Sequence, residues 1–306
     1  NTNGHNTNPV GADVEIEFCL ATVDPNGNAT NGIDRVNMGQ ASWDRNPIEN
    51  TLKPQTIWDP NNYLNMWTCR FGGGASSLLG YAQFPDNSGL AGMPASGGSA
   101  NTDGVVMNYN AFGTAALDDG SFVLNPTYNL GRTTTHEVGH WLGLRHIWGD
   151  GNCSQDDFCN DTPLAGAANY GCPTGSSSCS SVDMIENYMD YTDDACMNIF
   201  TEDQKTRIRT VLSVCPRRAS LTTSTACSNA STPPTCSISA SSTTIIAGGS
   251  VNFSDASTGN PTSWSWNFDN TSLGGVSPST STVQNPTNIT YNNVGTYQVQ
   301  LTATNA

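Results

Sequence analysis

The chain is short of charge, and shortest of positive charge. Only 12% of its 306 residues are charged, and 11 Lys and Arg stand against 26 Asp and Glu, for a formal net charge of −15. So few cations leave no basic surface, and neither nucleic acid nor an anionic membrane is expected as a partner. No apolar run approaches the ~18 residues of a spanning helix. The first residues, NTNGHNTNPV, lack the basic and apolar regions of a signal peptide,. They read as the start of a mature or trimmed product, with His5 a solvated terminal side chain. No Cys-x-x-Cys pair occurs among the ten cysteines, which weighs against a thiolate zinc site,. Cysteines placed in loops beside Gly, Pro and Asp point instead to disulfides and a secreted, extracellular protein, rather than to buried free thiols. The length suffices for a core and for two domains.

Histidine is scarce as well, four in all, yet three fall in one run, HEVGHWLGLRH. His136 and His140 are four apart, so on a helix they share a face and can reach one metal. His146 on the same straight helix would lie about 9 Å further along the axis, too far for a zinc–nitrogen bond of about 2.0–2.1 Å. The helix therefore has to end first, and Gly143 permits the left-handed turn that ends it. Three neutral imidazoles leave one zinc position for water, and Glu137 stands beside them to take its proton. A His-Glu-x-x-His run also arises on ordinary buried helices; Gly143 and His146 make that reading much weaker.

Downstream lies Asn187-Tyr188-Met189-Asp190-Tyr191. Alone, Met189 is a core methionine. After the long histidine motif, it resembles the methionine turn beneath the zinc of metzincin endopeptidases. GRTTTHEVGHWLGLRHIWGD, DDFCNDTP, ENYMDYTDDACMNIF, YLNMWTCRF and LLGYAQFP together resemble the pappalysin family of metzincins, in particular its bacterial secreted branch, over roughly residues 10–215. The resemblance implies an α+β catalytic domain, catalytic Zn2+ on His136, His140 and His146, Glu137 as general base, and cleavage of proteins or peptides. It also implies a signal peptide and an inhibitory pro-segment ahead of Asn1. Tyr191 is a candidate oxyanion donor, with a packed tyrosine as the alternative. A zinc hydrolase acting on non-peptide amides or esters fits Met189 poorly.

Asp13–Cys19 alternates polar and apolar residues, a strand signature, and Leu64–Phe71 and Gly104–Asn108 read as further strands. The resemblance implies that Gly104–Asn108 is the sheet edge lining the cleft, where a substrate adds as a strand; an ordinary covered strand is the alternative. Pro47–Ile57 reads as loop. Arg132–Leu144 is the histidine helix, with Thr133, Thr134 and Thr135 as cap candidates, and Glu202–Ser213 is a second helix, packing on Ile208, Val211 and Leu212.

The catalytic domain is expected to span 1–216. A Ser/Thr/Pro-rich linker follows over 217–235. Short alternating strands then fill 236–306: Ser250–Phe253, Trp264–Phe268, Ser281–Val283 and Tyr297–Thr302. VNFSDASTGNPTSWSWNF, QNPTNITY and GTYQVQLTAT resemble a PKD domain, an all-β immunoglobulin-like sandwich, departing from it at Asp269-Asn270. Trp264, Trp266 and Phe268 share a strand face and read as core, the alternative being an exposed strip for an extracellular polymer or protein.

No Lys or Arg occurs between Arg145 and Lys205, while Asp150, Asp156, Asp157, Asp161, Asp183, Glu186, Asp190, Asp193 and Asp194 do. So much carboxylate in one stretch favours bound cations over a merely solvated acidic surface. The resemblance implies structural Ca2+ at Asp157 and Thr162, with Asp156 and Asp161 as neighbours. It also implies the disulfides Cys153–Cys179 and Cys172–Cys196, leaving Cys159 for Cys215, Cys227 or Cys236. Cys19 and Cys69, on two candidate strands, form another possible pair. In bacterial relatives an aspartate at the position of Asp194 sits in the pocket for the residue after the scissile bond, which implies cleavage on the amino side of Arg or Lys; a loop carboxylate is the alternative. The competing function is an adhesin that uses the PKD-like domain and has an inactive protease fold.

Overall fold

The computed structural model describes residues 6–227, 234–259 and 261–304; His5 lies outside them. Two units divide the chain, Asn1–Cys227 and Ser228–Ala306.

In the first unit, the alternating stretch Asp13–Cys19 is not a strand. Regular pairing is confined to β1, Gly11–Ala12, antiparallel to Phe200–Thr201. Beyond it the chain is an irregular arm with Glu15 at φ 55°. Side chains of the Glu202–Val214 helix hold it: Lys205 reaches the Glu15 carboxylate at 3.1 Å and Arg209 donates to its carbonyl at 3.0 Å. Alternation alone does not make a strand without a partner edge.

The segment read as loop over Pro47–Ile57 is helical. It runs through Arg45–Pro47, a π-turn at Ile48–Leu52, and Lys53–Thr56. Asp44 accepts from Arg45 N at its start. The wider π-turn brings Ile48, Leu52 and Lys53 onto one buried face. Two prolines and flanking charge hid this helix, because its only large apolar residues, Ile48 and Leu52, are too few to set a period.

Met66–Cys69 (β2), Gly80–Ala82 (β3) and Val105–Asn108 (β4) form a mixed sheet in the order β2-β4-β3. β4 is parallel to β2 and antiparallel to β3. β4 is therefore the buried central strand and not an edge; β2 and β3 are the edges of this sheet. Four residues buried without alternation mark a strand covered on both faces,. One face packs on the histidine helix through Val105 and Met107, the other on Trp43, Ile48, Leu52 and Phe71 through Val106.

The Glu202–Val214 helix starts on a capping box, Thr201 with Gln204, and buries Ile208 and Val211. The expected linker does not begin after it. Pro216–Ala219 is another helical turn and Ser220–Thr223 a 3-10 turn, with Arg218 1% exposed. Cys227 then pairs with Cys19, so Cys19–Cys69 does not form; Cys69, Cys159, Cys215 and Cys236 are free thiols. Cys153–Cys179 and Cys172–Cys196 are both present.

The second unit is built of antiparallel pairs. Ser263–Asn267 lies between Thr280–Ser281 and Gln300–Thr304, and Ile289–Tyr291 lies between Val276–Ser277 and Gly249–Val251. Trp266 and Phe268 are buried with Val251, Phe253, Ile289 and Leu301, and Trp264 packs against them. They are core, as the alternation suggested, and form no exposed strip.

Candidate metal centre

The histidine helix spans Arg132–Trp141. Its N-cap is Gly131 at φ 78°, not one of the threonines, and no side chain of the helix caps it. The acceptor comes from far along the chain. Asp194 Oδ2 takes Leu130 N at 2.7 Å and Arg132 N at 3.2 Å. At the other end Leu142 is the C-cap and Gly143 sits at φ 87°, the left-handed turn expected of it. Leu144 N then bonds Gly139 O at 2.9 Å, and the chain returns with His146 facing the helix.

The three Nε2 atoms converge. His140 Nε2 is 3.0 Å from His136 Nε2 and 3.0 Å from His146 Nε2. Each ring's Nδ1 faces an oxygen: His136 the Tyr188 carbonyl at 2.7 Å, His140 the Leu144 carbonyl at 2.9 Å, and His146 the Asp150 carboxylate. With Nδ1–H donating outward, each Nε2 offers a lone pair inward. Three lone pairs at this spacing repel unless a cation lies between them, so the donor set fits a metal ion. Burial and the neighbouring imidazoles hold His136 well below the usual histidine range and His140 down to about 3. Neutral rings are what a metal requires. Among the described residues this is the one group of three or more His, Cys, Asp or Glu side chains whose ligand atoms all lie within 4.8 Å of one another. Three histidines and no cysteine suit Zn2+ with an open position.

Met189 is fully buried beneath this group. A Cβ at Gly139 would lie 2.5 Å from Met189 Sδ, so the methionine occupies the space that glycine leaves between the two helical histidines. Sequence reasoning missed Gly139, although it stands inside the motif. Asp150 was also missed and was counted only among the acidic residues. Its place four after His146 was the available signal.

Glu137 is 6% exposed, and burial pushes its carboxyl up to about 8. It faces β3, where a Cβ at Gly80 would come within 2.9 Å of Glu137 Cγ. Tyr191 has its ring 4.8 Å from that of His146 and 5.6 Å from that of His136. Burial raises its phenol to about 12, so it carries its proton at neutral pH.

The calcium candidates gather less tightly. Asp157 and Thr162 are buried and in contact, Thr162 Oγ1 donating to Asp157 Oδ2 at 2.8 Å. Asp156 is exposed and accepts from Phe158 N at 2.7 Å. Asp161 Oδ2 accepts from Asp203 N at 2.9 Å, while its Oδ1 is buried with no hydrogen-bond partner. Asp194 is 2% exposed.

Comparison with known proteins agrees with this geometry. Residues 48–213 match the M43 peptidase family model, that of pregnancy-associated plasma protein-A, and residues 235–306 match the PKD domain. An extracellular metalloprotease of Colletotrichum graminicola is 35% identical over 195 residues, 60% of this chain and 61% of that protein. One from Arthroderma gypseum is 42% identical over 137 residues, 43% of this chain and 42% of that protein. The chain thus spans about half the length of the curated relatives it matches. Among solved structures, mature mirolysin of Tannerella forsythia in complex with a cleaved peptide is 40% identical, with a TM-score of 0.58 over 69% of this chain and 76% of that one.

Proposed function

The chain belongs to the M43 peptidase family, that of pregnancy-associated plasma protein-A, and from that premise we propose that it is a secreted zinc-dependent endopeptidase acting on proteins. The observation that carries this reading is the convergence of three outward-tethered imidazoles beside Glu137. Zinc held there would polarise the scissile carbonyl and lower the pKa of a water toward about 7. Glu137 takes the proton of that water and returns it to the leaving amine. Its burial-raised affinity for a proton would keep Glu137 protonated, and a cation bound beside it would lower that affinity so that the carboxylate can take the proton and later release it,. Tyr191, protonated and beside His146, donates to the oxygen on which charge develops,.

An extended substrate adds to β3. The ladder with β4 uses Leu79 O, Tyr81 and Gln83 N. By antiparallel alternation the N–H and C=O groups of Gly80 and Ala82 then point away from β4, toward the edge that pairs with nothing among the described residues,. Asp194 is the candidate selector of Arg or Lys after the scissile bond. Its Oδ2 is committed to the start of the histidine helix, and Oδ1 is the oxygen left for a substrate cation. Calcium at Asp157, Thr162 and Asp161 is supported by the bare, buried Asp161 Oδ1,. Extracellular location is in keeping with the names of the relatives and with the three disulfides. An adhesin with an inactive protease fold is disfavoured by the complete histidine set and Glu137. A polymer or protein ligand of the PKD domain would have to use some surface other than Trp266 and Phe268.

Digestion of casein, with and without a zinc chelator, tests the proposal. The native chain should cleave, and chelation or Glu137→Gln should suppress cleavage by at least about 100-fold. Chelator-insensitive cleavage, or none, overturns it. Profiling the products for the native chain and for Asp194→Ala reads the specificity; an unchanged preference for basic residues removes Asp194.

A further inference from the structure

Arg217 and Arg218 lie where a linker was expected, yet they meet in the interior on one carboxylate. Asp103 is 1% exposed. Its Oδ1 accepts from Trp141 Nε1 at 3.1 Å, and its Oδ2 from Arg218 at 2.8 Å and from Arg217 Nε. Arg217 also pairs with Asp86 at 2.7 Å. Arg218 lies over the Trp141 ring at 3.9 Å, donates to Trp141 O at 3.0 Å and to Gln83 O at 3.3 Å. Each partner has a definite place in the site. Trp141 ends the histidine helix and follows His140. Gln83 follows the last residue of β3. Asp103 comes two residues before β4.

A buried ionic cluster is weak evidence of stability, because apolar replacements of similar volume often do as well. What this one supplies is direction: Arg218 spans the end of the helix and the end of the edge strand with separate hydrogen bonds. At the other end of β3 the strand passes close to the helix, where a Cβ on Gly80 would come within 2.9 Å of Glu137 Cγ. Phe84, one residue past Gln83, places its ring edge-on to His140 at 5.4 Å. Helix and edge strand are thus tied together at one end and close-packed at the other, and the free edge of the strand, beside the helix, is where the substrate backbone would pair. We propose that Asp103, Arg217 and Arg218 are positioning residues for hydrolysis, which set the separation between the edge strand that aligns the peptide and the helix that carries His136, Glu137 and His140. This rests on the zinc endopeptidase reading above.

The test uses the full chain with Arg218→Lys and Asp103→Asn, and two fluorogenic peptides. One is long and reaches along β3; the other is short and lacks the residues that would pair with it. Rates are taken per zinc-loaded molecule, with zinc content and thermal unfolding measured alongside. Displacement of the edge strand by about 1 Å should cost about 10–100-fold in kcat/KM on the long peptide, chiefly through KM. The short peptide should lose less. A purely structural role would lower the folded fraction and leave both values unchanged per zinc-loaded molecule. No loss, or an equal loss on both peptides, overturns the proposal. Should either variant not fold, Arg217→Gln leaves Arg218 on Asp103 and must show a smaller effect of the same kind. If the native chain itself shows no chelator-sensitive cleavage, the functional reading falls and takes this inference with it.

Discussion

An oxygen behind each zinc-facing imidazole decides which nitrogen points at the metal. For His136 and His140 it is a backbone carbonyl, which no sequence motif can display. For His146 it is Asp150, which the sequence does display, four residues on. A different carboxylate gives the clearest pH prediction. Burial pushes Asp157 up to about 7, against hydrogen bonds from Thr162 and Cys159 N. A raised carboxyl binds its proton more tightly folded than unfolded. Below the unfolded value of about 4 both states are protonated; between there and about 7 the folded state alone keeps the proton,. Stability contributed by that proton is therefore present at low pH and lost as pH rises toward 7. In calcium-free buffer the midpoint of thermal unfolding should fall across this window, and Asp157→Asn should flatten that fall. Added calcium should raise the midpoint more at pH 8 than at pH 5. An equal calcium response at both pH values would remove Asp157 from the candidate ligands.

The Glu202–Val214 helix does more than back the core. Its cap residue Gln204 is fully buried and accepts from Thr201 N at 3.0 Å and from Asn187 Nδ2 at 3.0 Å. Gln204 Nε2 donates to Asn187 Oδ1 at 3.0 Å, and that oxygen also accepts from Met189 N at 2.9 Å. The helix start and the methionine turn are one hydrogen-bonded unit. Gln204→Ala leaves Asn187 and Thr201 N without these partners. It should cost about 2 kcal/mol or more, read as a lower denaturation midpoint in urea. A loss under about 0.5 kcal/mol, in the range of an ordinary surface change, would show that the unit is not coupled. The helix itself was legible from its apolar period, and so was the end of the histidine helix at Gly143. The start of the histidine helix was not, because its acceptor, Asp194, is 62 residues away from Arg132. The helix through Ile48–Leu52 was missed because two prolines flank it and one apolar pair, Ile48 and Leu52, is too little to show a period.

At the scale of the molecule, Cys19–Cys227 ties an irregular N-terminal arm to the last residues of the first unit across 208 positions. Thr22 N bonds Ala226 O at 2.9 Å and Ser224 Oγ bonds Asn62 O at 2.7 Å, so the disulfide closes a seam that is already hydrogen-bonded. Closing so long a loop restricts the unfolded chain strongly, and Cys19→Ser with Cys227→Ser should cost the first unit about 2–5 kcal/mol in urea unfolding. An unchanged midpoint would mean that the seam holds without the bond. The sequence offered Cys19–Cys69 as a possible pair, since two strand-like segments suggested neighbours, but distance in the chain says nothing about distance in the fold.

The sequence by itself determined the candidate metal centre: three histidines, a permissive glycine that brings the third back to the other two, and the glutamate and methionine beside them, because those depend on residue type and short spacing. It also determined the sandwich character and aromatic core of the second unit, through strand alternation. Only the tertiary structure decided which strand is the edge, what caps the histidine helix, and that Arg217 and Arg218 return to join that helix to the edge strand. Those are contacts between segments tens to hundreds of residues apart, and local periodicity carries no record of them.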